Sequence, residues 1–332
     1  MDSDVAAITH DISTGEAAER PTGRRRVVSP NADLVALTSV VLAAFVLSSS
    51  YTLTKITLDD LPPLTIGLIR FTVAALLLGI WVRLIRRHPR PTRADIRQLA
   101  IGGLLGITIY FSIENVGVDL ATASDAALLV AAYPALTALL ELIVYRRRTG
   151  AQGLVGIGLA IVGVFFVVSY APASGPNRLI GDVLLVVSGI VWALYNFATR
   201  NVVSRYPTPT VLYYQSVAGA IGFLPLALIE RDEWRPFTHL GTTAAALTGL
   251  ILLCSILGLG LYAKGLQRLS PSAAVNVLNL VPLFGLVIAV VTLREAVTPL
   301  QIAGGLVVVV GVMITSRHDI ASQRKERAEP SS

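Results

Sequence analysis

Apolar residues run through this chain in long blocks, unlike the alternation of a half-buried strand or the single stripe of a surface helix. Residues 34–54, 149–177, 206–229, 269–293 and 296–316 contain no Asp, Glu, Lys or Arg. Residues 236–263 are interrupted only by His239, and residues 183–199 form a shorter block of 17. About 20 apolar residues, rising 1.5 Å each, cross a hydrocarbon core ~30 Å thick. Each block therefore predicts a membrane-spanning helix. Three more blocks reach that length around isolated charges: 61–82 around Arg70, 98–118 around Glu114, and 120–145 around Asp125 and Glu141. The pattern predicts an all-α integral membrane protein of ten transmembrane helices. Tails at residues 1–30 and 318–332 leave no room for a soluble domain. The first block is expected to persist as a helix, being far longer than the ~7–15-residue core of a cleaved signal peptide.

Composition agrees: 54% of residues are hydrophobic, 14% are charged, and mean hydropathy is +0.68. That leaves too little polar surface for a water-soluble particle of 332 residues. Charge then sets orientation. With the amino terminus inside, 21 Lys and Arg fall in the inner segments and five outside, the bias that retains cationic loops in the cytoplasm. Both termini are predicted to be cytoplasmic, and the basic balance belongs to loops, not to a nucleic-acid surface.

Several chemistries drop out. Cys254 is the single cysteine, which excludes a disulfide framework or a cysteine-ligated cluster. His10, His88, His239 and His318 lie in tails, loops or span ends, so no intramembrane metal site is expected. There is no Gly-x-x-x-x-Gly-Lys-Ser/Thr, hence no sign of an ATPase. Gly258-Leu259-Gly260 follows no strand and is not a dinucleotide loop. No cofactor is expected.

The chain also repeats itself. At an offset of 148, Gly117 falls on Gly265, Ser124 on Ser272, Ala126 on Ala274, Pro134 on Pro282, Gly156 on Gly304 and Gly163 on Gly311. The spacing predicts two five-helix repeats, residues 31–172 and 173–317. An odd helix number inverts the second against the first, as in many secondary transporters whose sites lie at the midplane between halves.

Tyr262-Ala263-Lys264-Gly265-Leu266, Ser270-Pro271-Ser272-Ala273-Ala274, Pro282, Arg294-Glu295, Gly304 and Gly311 resemble the second repeat of the EamA family, of the drug/metabolite transporter superfamily. Arg70-Phe71, Glu114-Asn115, Ala121-Thr122-Ala123-Ser124 and Pro134 resemble the first. The resemblance covers about residues 33–316. It departs at Arg146-Arg147-Arg148, where the family commonly carries an acid, so the acidic corner is present only at Glu295. The resemblance implies a ten-helix carrier that opens alternately to either side and moves small metabolites without nucleotide hydrolysis.

Charges inside a bilayer are costly and face a cavity or a partner. Arg70 is a candidate anchor for a substrate carboxylate or a gating pair, with a helix carbonyl or an acid as the structural alternative. Glu114 lies at similar depth and is a candidate partner of Arg70, ligand for an ammonium group, or proton carrier. Asp125 is either a second such acid or a helix cap. Glu141 reads as an interfacial partner of Arg146–Arg148. Trp192, Tyr195, Asn196 and Thr199 recur on one helix face. With Tyr51, Gln215, Asn276 and Asn279 they complete a polar, aromatic substrate set, whose bland alternative is hydrogen bonding between helices. Pro134 and Pro282, at equivalent mid-helix positions, are hinge candidates or static kinks.

The expected function is a secondary transporter, an exporter of amino acids or related amphipathic compounds. Sugars, nucleobases or drugs are the alternative cargo; a membrane sensor, enzyme or channel is the competing class. Expected partners are the lipid bilayer and a small-molecule substrate, with protons if the carrier is coupled and a second copy if it dimerises. Arginine outnumbers lysine by 24 to 3, which points to a GC-rich bacterial gene and a plasma-membrane location.

Overall fold

The computed structural model describes residues 30–84, 90–144, 150–170, 175–234, 236–266 and 277–328. Their regular structure is helical, with no strand among the described residues. In order, the helices are α1 (Pro30–Leu58), α2 (Pro63–Leu84), α3 (Arg93–Gly103), α4 (Tyr110–Leu120), α5 (Ala123–Leu129), α6 (Tyr133–Val144), α7 (Ala151–Ser169), α8 (Arg178–Val203), α9 (Thr208–Ile229), α10 (Leu240–Gly249), α11 (Leu259–Leu266), α12 (Val281–Leu293) and α13 (Pro299–Ala328). A π-helical stretch, Leu104–Ile109, joins α3 to α4, and a second, Leu250–Gly258, joins α10 to α11. Eight of the resulting stretches are long and apolar enough to cross a membrane, and two shorter apolar helices follow, Val281–Leu293 and Pro299–Thr315. Helices dominate because a backbone in hydrocarbon must satisfy its own amides and carbonyls. Large apolar side chains such as Leu76, Ile80, Phe165, Ile221, Leu228 and Leu306 stand exposed around the bundle, as a lipid-facing surface requires.

Inside, helices approach through glycine. A Cβ added at Gly156 would lie 2.6 Å from the carbonyl oxygen of Gly311, and one at Gly163 would lie 2.6 Å from that of Gly304. Because 156 faces 311 while 163 faces 304, α7 and α13 run antiparallel. The same ordering, Gly67 against Phe223 and Gly79 against Tyr213, makes α2 and α9 antiparallel. Gly103 against Gln215 and Ile107 against Gly219 make the α3 segment and α9 parallel. Without a hydrophobic driving force between helices in lipid, such close backbone approach supplies the packing.

At one end of the bundle, charged side chains cap helices other than their own. Glu230 accepts from the backbone amides of Leu64 and Thr65, at 2.9 and 2.8 Å. Glu295 accepts from Ala123 and Ser124, at 2.9 and 2.8 Å. Lys55 Nζ donates to the carbonyls of Val118, Asp119 and Ala121, at 2.8, 2.8 and 2.9 Å. Carboxylates thus sit at helix amino termini and an ammonium at a carboxyl terminus, matching the helix dipole. Asp60, in the turn after α1, accepts from the amides of Thr238 and His239 and the hydroxyls of Thr238 and Thr243. Those bonds, the Thr238 hydroxyl's first, hold the Asp60 carboxyl well below the usual range.

Pro134 follows a 3₁₀ turn, Val130–Ala132, and occupies the first turn of α6; Pro282 occupies the first turn of α12, after a turn at residues 279–280. A first-turn proline removes an amide that has no intrahelical partner anyway. Pro134 thus lies within one helical span, Ala123–Ile143, just after its 3₁₀ turn, and Pro282 starts α12 after a turn.

Candidate functional site

The breaks and both π stretches surround one central cavity of about 400 Å³. Its wall includes Tyr51 of α1, Arg70 and Phe71 of α2, and Tyr110, Phe111 and Glu114 of α4. Opposite stand Tyr133 and Pro134 of α6, Trp192 and Tyr195 of α8, Gln215 of α9, and Ser255 in the second π stretch. Asn279 and Pro282 close the remaining side.

Arg70 is 5% exposed. Its Nε donates to Ser255 Oγ at 2.9 Å, and Ser255 Oγ donates to the Leu250 carbonyl at 3.1 Å, within the π stretch. The guanidinium carbon lies 4.7 Å from the Phe111 ring centre and 5.2 Å from that of Phe71, within cation–π reach. Nη1 has no hydrogen-bond partner in the chain. Gln215 repeats the theme: Oε1 accepts from the Tyr195 hydroxyl at 3.2 Å, while Nε2 has no partner. Both residues line the cavity that Glu114 also lines. A buried donor left unpaired costs about 1–3 kcal/mol, so both favour a ligand that accepts hydrogen bonds.

Glu114 accepts from the hydroxyl of Tyr110, one turn earlier on the same helix. The expected Arg70–Glu114 ion pair is absent among the described residues: Arg70 is turned to Ser255 and the two phenylalanine rings, Glu114 to Tyr110. Tyr110 continues an aromatic wall, with its ring centre 5.2 Å from Trp192, and Trp192 lies 5.1 Å from Tyr195. Gly106 allows this wall to close, since a Cβ there would fall 2.4 Å from the Tyr195 ring.

The cavity collects Tyr51, Arg70, Glu114, Trp192, Tyr195, Gln215, Asn279, Pro134 and Pro282 of the residues singled out from sequence. Asn276 lies outside the described residues. Asp125 is elsewhere: it is fully buried beside the amino termini of α8 and α13. It accepts from Arg178 Nε at 2.9 Å and Gln301 Nε2 at 2.6 Å, with Arg178 Nη2 at 2.9 Å from its other oxygen. The cap it was expected to supply comes from Thr122, whose Oγ1 accepts from the Asp125 amide at 3.0 Å. Asn196 faces a second cavity of about 290 Å³, which Glu141, Thr137 and Thr315 also line. Arg146–Arg148, the expected partners of Glu141, lie outside the described residues.

Sequence reading passed over Tyr110, Phe111, Tyr133 and Ser255. A signal existed for one of them: Tyr110 and Glu114 are four apart and share a helix face. Ser255 had none, because the widened π turn that aims it is not legible in the residue order. Among the described residues, no group of three His, Cys, Asp or Glu is arranged to hold a metal ion.

Comparison with known proteins agrees with the membrane architecture. The model of the EamA-like transporter family matches residues 34–169 and 179–317. An uncharacterised transporter of Archaeoglobus fulgidus is 28% identical over 285 residues, 85% of this chain and 96% of that one. A probable terminal-alkyne amino-acid exporter of Streptantibioticus cattleyicolor is 29% identical, over 89% of this chain and 97% of its own. A probable amino-acid metabolite efflux pump of Salmonella typhimurium is 25% identical, over 83% and 90%. A crystal structure sharing 20% identity superposes with a TM-score of 0.58, over 86% of this chain and 98% of that one, and shares the fold.

Proposed function

This chain belongs to the EamA-like transporter family, and we propose that it is a ten-helix exporter of amino acids or related zwitterions that works by alternating access. It is a multi-pass membrane transporter of small molecules and not an enzyme. In the proposed reading, α12 and the apolar part of α13 are the ninth and tenth spans. Both termini are cytoplasmic in a bacterial plasma membrane, and residues 31–172 and 173–317 are inverted repeats. The antiparallel pairing of α7 with α13, through glycines that correspond to one another at the 148-residue offset, supports that inversion.

One observation carries the substrate class. Arg70 Nη1 and Gln215 Nε2 are buried donors without a partner, and both residues line the cavity that holds the Glu114 carboxylate. A carboxylate on the donors and an ammonium on Glu114 satisfy all three. The rings of Tyr110, Trp192 and Tyr195 receive the side chain. A volume of about 400 Å³ falls in the small-molecule range of ~300–1,000 Å³. The names of the Streptantibioticus and Salmonella relatives support the same class.

Glu114 also suits proton coupling. Its Tyr110 partner is on the same helix and its charge is not spent on Arg70, so the carboxylate is available to ammonium and proton in turn. The outer end is the one closed by Lys55, Glu230 and Glu295, and export requires those caps to part.

The test is uptake of labelled amino acids into proteoliposomes, with and without a pH gradient, for the wild type, Arg70→Ala and Glu114→Gln. Saturable uptake that weakens at least tenfold in Arg70→Ala, and loses its response to the gradient in Glu114→Gln, is expected. Unchanged apparent affinity in a well-expressed Arg70→Ala refutes the assignment.

A further inference from the structure

We propose that Asp182 is a proton-binding site in its own right, away from the central cavity, and that its proton decides which carboxylate holds Arg178. Asp182 lies one turn into α8 and is 0% exposed. It lines neither cavity. Neither of its carboxylate oxygens has a hydrogen-bond partner in the chain. Its ion-pair contact is Arg178 Nη2, one turn earlier on the same helix, at 3.3 Å from Oδ2 and not aligned to donate. Here α8 is pressed onto the end of α4: a Cβ at Gly181 would fall 2.8 Å from the Gly117 carbonyl oxygen and 2.6 Å from the Ala121 amide nitrogen.

Charge counting carries the argument. The cluster holds two carboxylates, Asp125 and Asp182, and one guanidinium. That guanidinium is already committed to Asp125: Nε donates to Oδ2 at 2.9 Å and Nη2 stands 2.9 Å from Oδ1, while Gln301 Nε2 adds a donor at 2.6 Å. Asp125 is compensated, so an ionised Asp182 is a buried negative charge with no donor. Such a charge costs far more than a neutral acid group in the same place. The charges that bear on Asp182 are Asp125, across on α5, and Arg178. The other acids nearby are engaged or outside: Glu114 of α4 accepts from Tyr110, Glu295 accepts from the Ala123 and Ser124 amides, and Asp119 of α4 is exposed. One proton on Asp182 brings the cluster to neutrality. A metal ion suits it less, because Arg178 brings positive charge to 3.3 Å and no group of three His, Cys, Asp or Glu among the described residues is arranged to hold one.

Release of that proton changes more than charge. An ionised Asp182 competes with Asp125 for Nη2 and draws it from a contact between α5 and α8 into an i,i+4 contact within α8. Asp125 belongs to residues 31–172 and Arg178 to residues 173–317, so the contact that weakens is one between the two proposed repeats. Proton binding tightens this tie and proton release loosens it. As a coupling device the site rests on the carrier reading above. As a proton site it stands on the buried cluster alone.

The test is infrared difference spectroscopy of the full-length protein in liposomes, which reads the C=O stretch of a protonated carboxylic acid. A band is expected that disappears as pH rises, is missing in Asp182→Asn, and is kept in Glu114→Gln. It is also missing in Asp125→Asn, although Asp182 is intact there, because Arg178 is then free to pair with an ionised Asp182. Should Asp182→Asn fail to fold, Asp125→Asn decides by losing the band or keeping it. Durability follows the same proton: thermal inactivation of the wild type speeds up about tenfold as the band is titrated away, as for one weakened charged hydrogen bond, and Asp182→Asn lacks this response. Four results overturn the site: no band that Asp182→Asn or Asp125→Asn removes, a band that only Glu114→Gln removes, a band displaced by sodium at fixed pH, or an unaltered pH response in a well-folded Asp182→Asn. The carrier reading is judged separately, by the Arg70→Ala uptake assay, and either can fail alone.

Discussion

Replacing Asp125 by alanine separates two roles that a buried membrane acid can have. The carboxylate holds Arg178 through two contacts at 2.9 Å and Gln301 through one at 2.6 Å. These residues begin α8 and α13, while Asp125 lies in the first turn of α5, so one side chain ties together three helix starts. Removing one partner of a buried ion pair costs about 3–5 kcal/mol, and stranding the Gln301 amide adds about 1–3 kcal/mol. Asp182, 3.3 Å from Arg178 Nη2, takes up part of the guanidinium charge, which brings the ion-pair part below that range, and a total of about 3 kcal/mol is expected. Each 1.4 kcal/mol is a factor of ten. If the loss falls wholly on the unfolding barrier, thermal inactivation in detergent speeds up by roughly a hundredfold. Fluorescence-detected size exclusion after timed heating measures it. Substrate affinity of the surviving protein should be unchanged, because Asp125 does not line either cavity. A variant as durable as wild type, or a durable one with weakened affinity, refutes the reasoning.

Three further outcomes are expected. Arg70→Lys keeps the charge but loses the planar fork, so apparent affinity for carboxylate-bearing substrates falls by about tenfold in vesicle uptake, at normal expression. Gly163→Ala drives a Cβ to 2.6 Å from the Gly304 carbonyl oxygen, against backbone that cannot rotate aside, whereas a Cβ at Gly158 meets nothing within 4 Å. The first loses about 1–3 kcal/mol by overpacking and the second is neutral, as heat-challenge survival will show. For Asp60, whose carboxyl is held low by its hydrogen bonds, the stabilisation is present above the ordinary aspartate value of about 3.9. It is lost as pH falls through the lowered value, so the stability gap to Asp60→Asn is flat above about pH 4 and closes below it.

Much of this was legible in the residue order, for definable reasons. Arg70 and Glu114 stand out because a charge within an apolar block is conspicuous whatever surrounds it. The glycines of α7 and α13 stand out because they recur at one offset. Asp125 was misassigned because its partners lie 53 and 176 positions away, and nothing local distinguishes an acid facing a cavity from one facing Arg178. The same limit hid the orientation of Arg70, which depends on a π turn that lengthens one loop of helix and swings Ser255 under the guanidinium. Pro134 and Pro282 were read as hinges or static kinks, because proline shows that something happens to a helix but not whether that point moves.

The glycine contacts between α7 and α13 carry one more consequence. Under the 148-residue correspondence, Gly156 becomes Gly304 and Gly163 becomes Gly311. The contact of 156 with 311 then turns into the contact of 304 with 163, which is the other one. The pair is its own mirror partner across the pseudo-dyad. If the opposite-facing state arises when the halves trade conformations, every asymmetric contact must be remade, yet these two are carried into each other unchanged. In the proposed alternating-access reading this seam is the axle: damage to it weakens both states equally and favours neither.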